Sequence, residues 1–152
     1  MKVILFEPQI PQNTGNVART CSVTGCGLIL VRPLGFQISD RWLKRSGLDY
    51  WDALSSFDVI DDLEAYLEKT KSPWTFFSSH AKTLYTDITY SDDHLLIFGS
   101  ETSGLPETLH QTSKEQGAKL PMQENARCLN LATSVGVALY EALRQSHFQG
   151  LL

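Results

Sequence analysis

Residues 127–145, RCLNLATSVGVALYEALRQ, and the upstream segment 95–106, LLIFGSETSGLP, carry the most structural information in this chain. The apolar run that opens the upstream segment predicts a short buried strand. Gly99 ends that strand at a point where a side chain would obstruct the close approach of another molecule. Pro106 is typical of the first turn of a helix, and Asn130 marks the start of a long amphipathic helix. The turn between Gly99 and Pro106 is therefore predicted to border a ligand.

The N-terminal part of the chain predicts two strands joined by a helix. Lys2 to Glu7 contains the apolar run VILF, which is typical of a buried strand. Asn13 is predicted to cap a helix that reaches about Thr24, where Gly25 ends it. Leu28 to Val31 form the next predicted strand. The chain thus begins with a strand, helix, strand pattern.

The middle of the chain continues this alternation. Ser39 is predicted to cap a short helix through Arg45, and Asp61 or Asp62 to begin another that reaches about Lys69. Trp74 to Phe77 form a further predicted strand. Strands that alternate with helices predict an α/β fold with a mainly parallel sheet and helices on both faces.

Length and composition are those of an ordinary globular domain. The chain has 152 residues, of which 42% are hydrophobic and 20% charged. This length predicts a single domain over residues 1–152. Because no stretch approaches the roughly 18 continuous apolar residues of a membrane helix, and the N-terminus lacks a signal-peptide pattern, a cytoplasmic location is the default expectation.

The net charge limits how this protein could bind nucleic acid. A formal charge of −4 argues against a broadly basic nucleic-acid binder, so any RNA-binding surface must be local. The densest basic group is Arg32 with Arg41, Lys44 and Arg45, in a segment that also holds Trp42. Taken alone, these residues favour a solvated helix face over an RNA contact.

The cysteines and histidines give no sign of a metal site. Cys21, Cys26 and Cys128 cannot all pair within the chain, and the first two lack a second pair that would complete a zinc site. Reduced thiols with a structural or ligand-lining role are expected instead. The four histidines show no ligand spacing, and neither the P-loop nor the dinucleotide-binding glycine motif is present.

Three short motifs, taken in order, resemble those of a known superfamily. Residues 13–19 read NTGNVAR, residues 98–106 read FGSETSGLP and residues 128–131 read CLNL. Together they resemble the SPOUT methyltransferases, in particular the small tRNA (cytidine/uridine-34) 2'-O-methyltransferases. The resemblance implies a C-terminal deep trefoil knot, a structure that is exceptional among proteins. It also implies a homodimer in which the first and last helices pack across the interface.

The resemblance further implies that the knot loops bind S-adenosylmethionine. The positions where the family contacts this cofactor, largely through backbone groups, correspond here to Phe77, Gly99, Leu120 and Cys128. Met122 is a plausible wall of the adenine pocket, because adenine is apolar on both faces. Asn130 has two expected roles, as a cap of the last helix and as part of the site. Related enzymes often carry serine in place of Cys128, and a thiol is a weaker hydrogen-bond donor.

Four residues are the catalytic candidates that this resemblance implies. They are Arg19, Asn13, Glu101 and Tyr140. Because a guanidinium is a poor proton acceptor near neutral pH, we expect Arg19 to orient a phosphate and to stabilise negative charge on the attacking 2'-oxygen. Glu101 could position Asn13, Arg19 or RNA. Tyr140 is a second candidate, although a tyrosine on a packed helix is more often core or interface.

The substrate that the resemblance implies is the wobble nucleotide 34 in the anticodon loop of tRNA, with leucine isoacceptors expected. Such a single-stranded loop exposes a 2'-hydroxyl. Another tRNA or rRNA position is the nearest enzymatic alternative. The sequence is also compatible with a nonenzymatic domain that binds S-adenosylmethionine or RNA, and its α/β pattern with a flavodoxin-like nucleotide-binding module.

Overall fold

The protein has seven strands and four helices in the part of the chain that the structure, a computed structural model, describes: residues 1–39, 51 and 53–151. In chain order they are β1 (Lys2–Phe6), α1 (Pro11–Val23), β2 (Gly27–Val31), β3 (Phe57–Ile60), α2 (Leu63–Lys69), β4 (Trp74–Phe77), β5 (Thr83–Leu84), β6 (Leu95–Phe98), α3 (Glu107–Thr112), β7 (Gly117–Lys119) and α4 (Leu131–Gln145). Two short 3₁₀ turns, Tyr85–Asp87 and Lys114–Gln116, complete the described elements.

All seven strands belong to one sheet, in the order β3-β2-β1-β6-β4-β7-β5. Every pair of neighbouring strands is parallel. Lys2 is level with Gly27 of β2 on one side and with Leu95 of β6 on the other. The strands therefore all end at the same edge of the sheet, which is where ligands bind in open α/β folds.

Helices cover both faces of this sheet, as predicted. Side chains alternate between the two faces of a strand, so Val3 and Leu5 pack in one apolar cluster and Ile4 in the other. The first cluster contains the buried faces of α1 and α4, and the second contains Leu63 of α2 and Leu109 of α3. The α/β class and the parallel sheet are thus confirmed.

Helix α1 begins earlier than predicted, and the prediction that Asn13 caps it is wrong. The N-cap is Ile10, whose side chain makes no capping bond, and Pro11 takes the first helical position. Proline is well suited to that position because its missing N–H would have no partner in the helix. Asn13 lies in the first turn instead. The predicted end is confirmed, since Thr24 is the C-cap and Gly25 follows with a φ of 69°.

Two further helix starts agree with the sequence. The side chain of Asp62 accepts a hydrogen bond from the backbone N–H of Ala65 at 3.0 Å and so caps α2. Asn130 caps α4 as predicted. The predicted helix from Ser39 to Arg45 lies largely outside the described residues, as do the basic side chains of that segment.

Strands β3 and β5 were not predicted. Strand β3 is at one edge of the sheet, where Asp58 is exposed and the remaining side chains are only half-buried. Such a strand lacks the continuous apolar run by which a central parallel strand is recognised. Strand β5 has only two residues, at the opposite edge.

Candidate active site

The carboxylate of Glu101 joins the loop after β6 to the start of α1. It accepts hydrogen bonds from the backbone N–H groups of Gln9 at 2.8 Å and Ile10 at 3.2 Å. It also accepts one from the Nδ2 group of Asn13 at 3.0 Å. A carboxylate is well placed at the N-terminus of a helix, where the helix dipole is positive. Glu101 therefore fixes the chain segment that leads from β1 into α1.

Asn130 extends this network to the last helix. Its Nδ2 group donates a 2.9 Å hydrogen bond to Oδ1 of Asn13. Its own Oδ1 accepts from the backbone N–H of Ala132 at 2.9 Å and of Thr133 at 3.3 Å, which caps α4. Glu101, Asn13 and Asn130 thus form one continuous chain of hydrogen bonds that joins the loop after β6, the first turn of α1 and the N-cap of α4. The capping role expected of Asn130 is confirmed, and its role in the site stays a prediction.

The network includes partners that the sequence could not reveal. The amides of Gln9 and Ile10 are backbone groups, which every residue except proline carries, so no residue type marks them. By contrast, Glu101 was recognisable in the sequence as a candidate, because it lies between the two glycines of its loop. Of the three partners expected for Glu101, Asn13 is hydrogen-bonded to its carboxylate.

Gly99 is required by the loop that follows it. A Cβ atom at this position would lie 2.5 Å from the carbonyl carbon of Gly104 and 2.7 Å from the nitrogen of Leu105. The loop turns back on itself here, because Ser100 and Gly104 exchange two backbone hydrogen bonds of 3.0 Å. Gly99 is thus needed by the loop itself, and its role beside a bound molecule stays a prediction.

Arg19 and Tyr140 lie on the outward side of the helical layer. Arg19 is exposed and lies six positions after Asn13 on α1. With 3.6 residues per turn, its side chain points roughly 120° away from the direction of Asn13 around the helix. Tyr140 is 49% exposed on α4, so it is not a core residue. Helices α1 and α4 pack against each other on the same face of the sheet. Asn13 and Glu101 are therefore brought together, whereas Arg19 and Tyr140 belong to the surface above them.

The predicted cofactor residues lie at neighbouring strand ends. Phe77 ends β4, Gly99 follows β6, and Leu120 and Met122 follow β7, and these three strands are adjacent in the sheet. The half-buried ring of Phe77 stacks on Phe98, with centroids 4.5 Å apart and planes 5° from parallel. Because Phe98 is buried, only the half-buried ring of Phe77 offers an apolar surface here.

The loop that connects β7 to α4 is open to solvent. Leu120 and Met122 are half-buried, whereas residues 123–130 are exposed, Cys128 and Leu129 among them. The backbone N–H and C=O groups of such a loop are accessible to a bound molecule. The predicted cofactor residues therefore surround one edge of the sheet with apolar side chains and accessible backbone.

The two other cysteines have a structural role. Cys21 and Cys26 are buried in the cluster beneath α1, and burial, with a smaller contribution from Cys26, raises the pKa of Cys21. A buried thiol of this kind behaves as a small apolar group. Val17 and Ala18 on α1 and Leu139 and Leu143 on α4 are likewise buried core residues of this chain.

The described residues form neither a metal-binding cluster nor a membrane-spanning helix. No group of three or more His, Cys, Asp or Glu side chains in this part of the chain could hold a metal ion. None of its helices has the length and apolar character needed to cross a membrane.

Comparison with known proteins identifies the family. The sequence profile of the SpoU rRNA Methylase family matches residues 1–140. This chain belongs to the SpoU family. A tRNA (cytidine(34)-2'-O)-methyltransferase from Methylovorus glucosotrophus (strain SIP3-4) is 40% identical over 150 residues, covering 97% of each protein. The SpoU assignment confirms the resemblance seen in the motifs and removes the flavodoxin-like alternative.

Solved structures of SpoU relatives show the same architecture. One of them comes from work on the 2-OH methylation of C/U34 on tRNA. It has a TM-score of 0.87 and is 40% identical in sequence, and the match covers 96% of this chain and 95% of the other. An AdoMet-bound rRNA methyltransferase from Sinorhizobium meliloti has a TM-score of 0.81 and 27% identity. This chain covers 55% of that longer protein and is itself covered over 94% of its length.

Proposed function

We propose that this protein transfers a methyl group from S-adenosylmethionine to the 2'-hydroxyl of nucleotide 34 in the anticodon loop of tRNA. The observation that carries the proposal is the hydrogen-bonded chain Glu101–Asn13–Asn130, which brings all three motifs together at one edge of the sheet. The similarity to relatives named for this reaction extends over almost the whole chain. Leucine tRNAs are the proposed substrates, in the cytoplasm.

The residues at the strand ends suit S-adenosylmethionine. The half-buried side chains of Phe77, Leu120 and Met122 would contact the adenine ring, whose faces are apolar. Gly99 and Cys128 would hold the ligand through backbone groups. The cofactor supplies a methyl group on a positively charged sulfur, and the protein has to align that group with the ribose oxygen.

Arg19 is the proposed catalytic residue. A guanidinium remains protonated near neutral pH, so it serves as a donor and not as a proton acceptor. We assign to it the binding of a phosphate beside the target nucleotide and the stabilisation of charge on the 2'-oxygen. Tyr140 shares the outward surface of the α1–α4 layer and is the second candidate for contact with RNA.

Asn13 and Glu101 are assigned positioning roles. Their hydrogen bonds are directed at each other and at backbone or capping groups. They hold the N-terminus of α1 against the loop after β6, and α1 in turn carries Arg19. Small displacements of a catalytic group have large effects on rate, so this fixed connection serves the chemistry indirectly.

The proposal includes a homodimer and a C-terminal trefoil knot. Apolar side chains remain exposed on α1 and α4: Val23 is 58% exposed and Val137 is 39% exposed. Tyr140 lies one turn beyond Val137 on α4, so the two helices offer a mixed surface suited to a second copy of the chain. The knot rests on membership of the SpoU family.

The test is methyl transfer from radiolabelled S-adenosylmethionine to total tRNA that lacks wobble 2'-O-methylation and, in a parallel reaction, to rRNA, followed by nucleoside mapping. Label on ribose 34 is the expected result. Label elsewhere in tRNA, or on rRNA only, would keep the reaction and overturn the substrate. An rRNA substrate is the second candidate because the S. meliloti relative is named for it. If no RNA is labelled, the result would favour the alternative of a nonenzymatic domain that binds S-adenosylmethionine or RNA.

A further inference from the structure

An open cavity lies beside the loop that carries Glu101. It has a volume of about 450 Å³ and is lined by Phe6, Ser103, Gly104, Leu105, Pro106 and Glu107. Its walls come from the end of β1, the last part of the β6 loop and the first residue of α3. None of the residues that we assign to the cofactor contributes to it.

The topology of the sheet separates this cavity from the proposed cofactor site. Strand β6 lies between β1 and β4, so Phe6 and Phe77 flank its loop from opposite sides. Phe6 packs in the apolar cluster beneath α2 and α3, whereas Phe77 packs in the cluster beneath α1 and α4. The loop after β6 therefore lies between two sites, and Glu101 is part of that loop.

The cavity is also adjacent to the network that positions α1. Gln9 and Ile10, whose amides bind Glu101, follow Phe6 closely in the chain. A ligand in the cavity would thus lie next to both segments that Glu101 joins. This placement points to the RNA substrate as the occupant, because the methyl donor is assigned to the other side of the loop.

The chemistry of the walls suits a single nucleobase. The half-buried ring of Phe6 offers a stacking surface, and Leu105 and Pro106 add apolar walls. Ser103 and Glu107 are exposed at the rim. Ionised Glu107 can only accept hydrogen bonds, and the 4-amino group of cytosine is a donor, whereas uracil presents an acceptor at the same position.

We propose, on the basis of the function proposed above, that this cavity receives the base of the target nucleotide, stacked on Phe6, with Glu107 accepting from the 4-amino group of cytosine. Glu107 has one weak local contact, a 3.4 Å hydrogen bond from Gln111 to Oε1. Its other carboxylate oxygen can face the base. The cavity thereby favours cytidine over uridine at position 34.

The first test exchanges the acceptor for a group that can also donate. Glu107→Gln is compared with wild type on two anticodon stem-loops that differ only in C34 or U34, with Glu115→Gln as the matched control because Glu115 is also exposed. We expect wild type to prefer C34. Glu107→Gln should lower the C34/U34 ratio of kcat/KM roughly tenfold, as for the loss of one hydrogen bond to a charged group. Glu115→Gln should leave it unchanged.

The second test addresses stacking. Phe6→Leu keeps an apolar side chain but removes the aromatic ring, and should raise KM for the stem-loop by about five- to a hundredfold. Affinity for S-adenosylhomocysteine should not change. A matching loss of that affinity would place the cavity in the cofactor site and overturn the proposal. The thermal midpoint of each variant shows whether it is folded.

The outcomes separate this proposal from the one on which it rests. If wild type transfers no methyl group to ribose 34, the proposed function fails and the base site fails with it. If wild type does so but Glu107→Gln leaves the C34/U34 ratio unchanged, the assignment of the cavity alone is overturned.

Discussion

Asn13 lies where three segments of the chain meet, and its side-chain amide is bonded in two directions. It is only 7% exposed, donates to Glu101 and accepts from Asn130. Removing a buried amide whose two polar groups are both hydrogen-bonded is costly, because each partner loses its hydrogen bond and is too buried for water to replace it fully. At the scale of the residue, Asn13 is therefore a structural link within a catalytic motif.

Replacing Asn13 by alanine should destabilise the fold. We expect the free energy of unfolding to fall by about 1–3 kcal/mol, since groups on Glu101 and Asn130 lose their partner. Urea denaturation measures this loss. Asn16→Ala is the matched control, because Asn16 is exposed on the same helix. Equal stability of the two variants would contradict the role given to Asn13.

Arg19→Ala should separate catalysis from cofactor binding. Methyl transfer should fall by about a hundredfold or more, the usual effect of removing a donor that stabilises developing charge. Affinity for S-adenosylmethionine, measured by calorimetry, should be unchanged because Arg19 is assigned to the RNA. A parallel loss of affinity and turnover would show that Arg19 acts on the donor.

Cys128→Ser should be tolerated. Cys128 is exposed, and serine supplies the hydroxyl that is common in related enzymes. Cofactor affinity and thermal midpoint should both remain at the wild-type level. Loss of the folded protein in this variant would instead identify the thiol as a packing group.

At the scale of secondary structure, His94 connects the start of β6 to β4. Its Nε2 atom is 2.9 Å from the hydroxyl of Thr75, and its Nδ1 atom is buried without a hydrogen-bond partner in the described part of the chain. Burial lowers the pKa of His94, the N-terminal amine lowers it further, and Asp93 opposes the shift. The folded protein therefore favours neutral His94.

This lowered pKa predicts a loss of stability in acid. In the unfolded chain His94 takes up a proton near its ordinary pKa of 6.5, whereas in the folded protein it does so only at lower pH. The free energy of unfolding should thus decrease as pH falls below about 6.5. His94→Gln should be less stable at neutral pH but should show a flatter decline between pH 7 and 5, by urea denaturation. An equally steep decline in the variant would assign the effect to other groups.

Local patterns in the sequence predicted the elements that are decided locally. The apolar runs of β1, β2, β4 and β6 were recognisable because central parallel strands are buried on both faces. Asn130 was recognisable as a cap because a capping asparagine bonds to its own helix. The pairing of Asn13 with Glu101 was only one of three alternatives for Glu101, because the two residues are 88 positions apart in the sequence. Long-range pairs of this kind are set by the tertiary fold.

The outward surface of α1 and α4 is the proposed site both of dimer formation and of contact with RNA. Exposed apolar side chains, Val23 and Val137, share it with the two candidate residues Arg19 and Tyr140. If a second copy binds there, as proposed, these two candidate residues for RNA contact lie at the edge of the dimer. This would explain how an acidic chain with a net charge of −4 offers a local surface to RNA.

Val137→Glu should dissociate the dimer. A carboxylate buried against a partner is unfavourable without a paired cation, so the variant should sediment as a monomer at concentrations where wild type is a dimer. Leu84→Glu is the control, since Leu84 is 36% exposed on β5, at the edge of the sheet. Wild type that sediments as a monomer would contradict the proposed assembly.

The most direct test of the proposed function compares two anticodon stem-loops that differ by one oxygen atom. One carries ribose at nucleotide 34 and the other 2'-deoxyribose, and each is incubated with labelled S-adenosylmethionine and the wild-type protein. We predict methyl transfer to the first and none to the second. Equal labelling of both RNAs would contradict transfer to the 2'-hydroxyl of nucleotide 34.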